Sequence, residues 1–328
     1  MSTKDMLGRT ALAAALAAVF AAVGVVAATA QDAPVVAAAT PEEPTPDETA
    51  STSDVGPNEQ ACDQAGCVLT SGRYHVRLPD GEGPHPVVLL LHNAGEDAAV
   101  LADDPVLRAT VLAGEHALIV PVGLTQRFAD GSAASSWRLT GTESGGRDEI
   151  SFLETVLADA ERRHGIDRER VLITGHGLGG SLTWEAACLS PELANAFVPR
   201  NGGFWGSLPE DCAGPMRLMH VHAPAADGWP LTEALENDGD GATAQPIEAH
   251  LELAREANGC GESAPLSGGL PAGHDGLSWQ DCNDEAELAL VLHRDQNRTT
   301  EPLLRHILAW FSMPQSAADT AEEAEPEQ

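Results

Sequence analysis

The sequence predicts one α/β domain built on a mainly parallel, doubly wound sheet, and three observations carry that prediction. Short apolar runs alternate with amphipathic stretches through residues 61–313, the pattern of strands covered by helices on both faces. The run Val87-Val88-Leu89-Leu90-Leu91 is apolar without alternation, as in a strand buried on both sides. Val171-Leu172-Ile173-Thr174-Gly175-His176-Gly177-Leu178-Gly179-Gly180 passes from a β-rich run through a glycine turn into a helix start.

Each element follows from local chemistry. Lys4 and Arg9 precede an apolar run at 11–28 that ends in Ala28-Thr29-Ala30, so residues 1–30 read as a signal peptide. Residues 31–60 are Ala, Pro and acidic, with too little apolar surface to offset ordering, and read as a disordered linker. Strands are expected at 74–78, 87–91, 118–121, 170–174, 196–198, 217–222 and 288–292. Over 148–163, Ile150, Leu153, Val156, Leu157 and Ala160 share one helical face, and His164-Gly165 ends it. Further helices are expected at 181–189, 247–258 and 301–311, the last with Pro302 in its first turn, where a missing donor is harmless. Residues 314–328 are acidic without a basic residue and read as a solvated tail.

Charge and cysteine content narrow the classes of function. The formal net charge is -32; removing Lys4, Arg9 and Asp5 with the signal takes away two positive charges and one negative, giving -33 and no lysine. Such a surface repels nucleic acid and anionic membrane, so neither is an expected partner, and a protein partner is left unassigned. An exported destination, secreted or periplasmic, makes Cys62, Cys67, Cys188, Cys212, Cys260 and Cys282 disulfide candidates. Six cysteines allow fifteen pairings, of which proximity favours 62 with 67, 188 with 212, and 260 with 282.

The strand–turn–helix at 171–181 is the setting of a nucleophile elbow, in which the middle residue of Gly-x-Ser-x-Gly presents a hydroxyl at the top of the sheet. Here that residue is Gly177. With Leu90-Leu91-His92, Gly165-Ile166-Asp167-Arg168-Glu169-Arg170-Val171, His220-Val221-His222, and Asn258-Gly259-Cys260 followed by Cys282, the chain from about residue 73 to 311 resembles a branch of the α/β-hydrolases. That branch comprises the secreted polyhydroxybutyrate depolymerase, feruloyl esterase and acetylxylan esterase-like proteins. The resemblance implies a carboxylic ester hydrolase with a serine, an acid and a histidine, and no cofactor or metal. It places the nucleophile at Gly177, the acid at Ala226 with Asp227 adjacent, and the histidine at Asn297, and it sets Asn93 where a glycine is expected in the oxyanion turn.

These departures fall on the catalytic positions, so the expected protein is an exported esterase homologue with a degenerate triad, acting as a binding or structural protein. The alternative is an active ester hydrolase using the displaced residues Ser181, Asp227 and His293, with His274 as a second candidate base. In either case the expected cleft comprises His92, Asn93, His176, Gly177, Leu178, Asp227 and Trp229, and suits a small ester or aromatic acid. His92, His176 and His222 could together hold zinc at the carboxyl edge of the sheet. Two of them match positions the resembling proteins have without a metal, so no metal is expected.

Overall fold

The computed structural model describes residues 62–63, 66–127, 131, 133–140, 146–223, 229–232, 235–236, 243–266, 269–283, 285–293 and 300–313. The expected signal, linker and acidic tail, and the positions Ala226, Asp227 and Asn297, lie outside the described residues. In chain order the strands are β1 (Cys67–Leu69), β2 (Gly72–Arg77), β3 (His85–Leu91), β4 (Ala117–Pro121), β5 (Leu124–Arg127), β6 (Ala133–Ser136), β7 (Ile166–His176), β8 (Ala196–Arg200), β9 (Arg217–His222), β10 (Leu235–Glu236), β11 (Thr243–Ala244), β12 (Ser263–Pro265), β13 (His274–Trp279) and β14 (Glu287–His293). The helices are α1 (Ala98–Ala102), α2 (Pro105–Ala113), α3 (Glu149–His164), α4 (Leu178–Leu189), α5 (Ile247–Ala257) and α6 (Glu301–Phe311).

Ten strands form one sheet in the order β1-β2-β4-β3-β7-β8-β9-β14-β13-β12. The inner six, from β4 to β14, run parallel, and two antiparallel strands extend the sheet on either side. Alternate residues of a strand face opposite sides, which divides the core in two. Val88, Leu90, Leu172, Val198, Val221 and Val291 pack with Val111 of α2 and Leu304, Ile307 and Phe311 of α6. Leu89, Ile173 and Phe197 lie on the other side, where α3 and α4 pack on β7.

Helix ends follow the sequence signals. Asp148 accepts a hydrogen bond from the Ser151 N–H, Arg162, Arg163 and His164 occupy the last turn, and Gly165 takes φ 61 and closes α3. Asp104 likewise caps α2, with Pro105 at its first position. Helix α4 begins at Leu178, three residues before the expected start, because the glycine turn feeds directly into it. The three disulfides are Cys62–Cys67, Cys188–Cys212 and Cys260–Cys282, the pairings that proximity favours. Among the described residues no helix is long and apolar enough to cross a membrane.

Candidate functional site

The turn between β7 and α4 has kept the backbone of an elbow. Gly177 sits at φ 56, ψ -120, a conformation costly for residues with a side chain. Its N–H donates to the Arg200 carbonyl at 3.0 Å, and its own carbonyl accepts from the Ser181 N–H at 2.9 Å. A side chain at 177 would require Asn93 to move, because an added Cβ would collide with Oδ1 of Asn93 and lie 2.6 Å from its Cγ. Asn93 thus fills the space where a nucleophile's side chain would start.

Asn93 also uses the donor that such a site needs. In an elbow, the backbone N–H of the residue after the nucleophile helps form the oxyanion hole. Here the Leu178 N–H donates to Asn93 Oδ1 at 3.0 Å. A side-chain carbonyl therefore occupies the position of a substrate carbonyl. Asn93 is itself held from below, its N–H donating to Glu96 Oε2 at 2.7 Å. His92 is fully buried and used by the backbone: its Nε2 accepts from the Gly123 N–H at 2.9 Å, and its Nδ1 lies 2.7 Å from the Asn93 carbonyl. Burial lowers its pKa, against the opposing hydrogen bond to Asn93.

The displaced nucleophile is not open to a substrate. Ser181 has no exposed surface, its hydroxyl donates back to the Gly177 carbonyl at 3.3 Å, and its Oγ accepts from the Gly203 N–H at 3.2 Å. Those bonds are the ordinary duty of a hydroxyl inside a helix. His293 ends β14 and stacks on His274 at 5.8 Å. His220, His222 and His250 form a buried group on the α4 side: the Trp184 indole donates to His220 Nδ1 at 3.1 Å, His220 Nε2 lies 3.4 Å from His222 Nδ1, and His250 Nε2 accepts from the Phe204 N–H at 2.6 Å. Burial drives the pKa of His220 well below the ordinary value and those of His222 and His250 to about 4, so all three are neutral near pH 7.

The expected cleft is therefore only partly assembled. Asn93, Gly177 and Leu178 meet, whereas Trp229 is buried edge-on against Trp205, with centroids 4.5 Å apart, as a packing residue. His92, His176 and His222 do not converge. Among the described residues, Cys62, Cys67 and His164 are the group whose atoms approach as metal ligands would, and the two sulfurs are bonded to each other. Sequence reasoning missed Asn201, whose Oδ1 accepts from the Ala223 N–H at 2.7 Å and whose Nδ2 lies 3.4 Å from His176 Nε2. It also missed Arg200, which lines a cavity at the end of β8. For Asn201 the available signal was a polar residue directly after a buried strand.

The sheet order, the two helical layers and the strained strand-to-helix turn define an α/β-hydrolase fold. No family model matches the chain. Over 156 residues it is 23% identical to the bifunctional acetylxylan esterase/xylanase XynS20E of Neocallimastix patriciarum, a match covering 47% of this chain and 21% of that protein. The chain thus spans about a fifth of that relative's length. Among solved structures it is similar to a Bacillus cereus carboxylesterase (14% identity, TM-score 0.46, covering 74% of this chain and 94% of the other). It is also similar to Arabidopsis thaliana SOBER1 (15%, 0.43, 69% and 97%) and to YahD with malic acid (14%, 0.44, 73% and 97%).

Proposed function

We propose that this protein is an exported α/β-hydrolase-fold homologue of carboxylic ester hydrolases, of the polyhydroxybutyrate depolymerase and feruloyl esterase type, that no longer hydrolyses esters and serves by binding. The observation that carries this is the exchange at the elbow: Gly177 supplies no nucleophile, and Asn93 fills its place while accepting from the Leu178 N–H. A hydrolase without its nucleophile retains only about 10³–10⁴-fold acceleration over water. The partial match to a protein named as an acetylxylan esterase supports the esterase ancestry, and three disulfides support export.

Hydrolysis of p-nitrophenyl acetate by the purified chain tests the proposal, with Ser181→Ala and His293→Ala beside it. The expected result is the rate of buffer alone in all three. Turnover above roughly 1 s⁻¹ that either substitution abolishes would overturn it.

A further inference from the structure

On the sheet face covered by α1, α2 and α6, a cavity of about 670 Å³ opens at the carboxyl ends of β7 and β8. His176 and Arg200 are register partners on these parallel strands and both line it. Its walls combine apolar side chains, Leu107 of α2 and Leu304 and Ile307 of α6 among them, with the carboxylates of Glu96, Asp104 and Glu301. That volume falls within the size range of ordinary small-molecule sites.

Arg200 is the anomaly in this cavity. No hydrogen bond or ion pair of its side chain falls among the described residues, and its Nε is sealed from solvent without a partner. Burial pushes its pKa down to about 10, opposed by the charge of Glu96. The carboxylates that share the cavity are committed elsewhere. Glu96 holds the Asn93 N–H, Asp104 caps α2 through the N–H groups of Val106 and Leu107, and Glu301 pairs with Arg305 at 2.7 Å. By contrast Arg147, its side chain 8% exposed, has Glu149 at 2.7 Å. The Arg200 Nε, sealed from solvent, is left without a hydrogen-bond acceptor, and a guanidinium fork is shaped to take a carboxylate through two hydrogen bonds.

We propose that this cavity is a binding site for a monocarboxylic acid with an aliphatic body, its carboxylate on Arg200 and its chain between α2 and α6. This site lies on the face opposite His220 and His222 and meets the elbow through His176, the Arg200 carbonyl and Glu96, which holds the Asn93 N–H. It does not rest on the loss of hydrolysis, and ester turnover and acid binding are measured separately.

The test is calorimetric titration of the full chain with sodium hexanoate, with 1-hexanol as the uncharged counterpart and sodium chloride as the ionic control. Hexanoate is expected to bind, while hexanol and chloride do not. Arg200→Met is expected to remain folded, because the Arg200 side chain makes no hydrogen bond or ion pair among the described residues, and to lose at least about tenfold in hexanoate affinity. Arg200→Lys keeps the charge without the fork and is expected to fall between the two. In the unmutated protein, the Arg200 Nε–H resonance, identified by its loss in Arg200→Lys, should move on addition of hexanoate. Hexanoate affinity unchanged in Arg200→Met, hexanol binding as tightly as hexanoate, or an Arg200 resonance that hexanoate leaves in place would each overturn the proposal.

Discussion

At Gly177 a single added methyl group meets an occupied space. Gly177→Ser would force a side chain onto Asn93 and strain the backbone at φ 56, so a loss of about 1–3 kcal/mol is expected from the overpacking. Adding Asn93→Gly to the same chain should recover most of that loss, because the two side chains compete for one volume. Denaturant unfolding of wild type, single and double variants measures this coupling, and additive effects would show that the sites do not interact. Gly177 was readable because the flanking glycines fix the register of the turn. Asn93 was readable only as a departure, since its contact with Leu178 spans 85 positions and no local pattern announces it. Arg200 was not legible at all: an arginine ending a strand ordinarily reaches solvent, and only α2 and α6 packing over it makes it a cavity residue.

Among the elements, those with their own signal were the ones the sequence predicted well. Helix α3 has a cap at each end, and α6 and β9 begin and end where expected. Asp148→Ala removes the bond to the Ser151 N–H and is expected to cost about 1 kcal/mol, a loss that urea unfolding would register as a lowered midpoint with unchanged slope. Two kinds of unpredicted piece show what the sequence lacked. Helices α1 and α2 are short and separated by the pair Asp103-Asp104, so no apolar period builds up. Strands β12 and β13 lie among Pro and Gly residues, β13 pairing with β14 and β12 with β13, partners that propensity does not reveal. A larger effect is expected within the Arg147–Glu149 pair, where the side chains are 8% and 2% exposed. Arg147→Met leaves a buried carboxylate unpaired and should destabilise by about 3–5 kcal/mol, whereas changing both residues to apolar ones should cost much less.

For the molecule as a whole, acid is the discriminating condition. The folded-state pKa values of His220, His222 and His250 all lie below the ordinary 6.5. The unfolded chain therefore binds protons that the folded chain refuses. Stability is full above the unfolded value and falls as pH drops from about 6.5 toward 4, by up to about 1.4 kcal/mol per pH unit for each histidine. Unfolding at pH 7 and pH 5 in high salt, which mutes the repulsion of the -32 charge, should show that decline. His222→Gln should make it shallower, and an unchanged pH dependence would place the protons elsewhere. The sheet adds a consequence of another kind. Its outermost strands, β1 and β12, are three residues each, and β12 ends in Pro265. A passing chain finds few free backbone groups along either border on which to add itself, and Pro265 offers no N–H. This wide sheet is thereby guarded against growing into an aggregate.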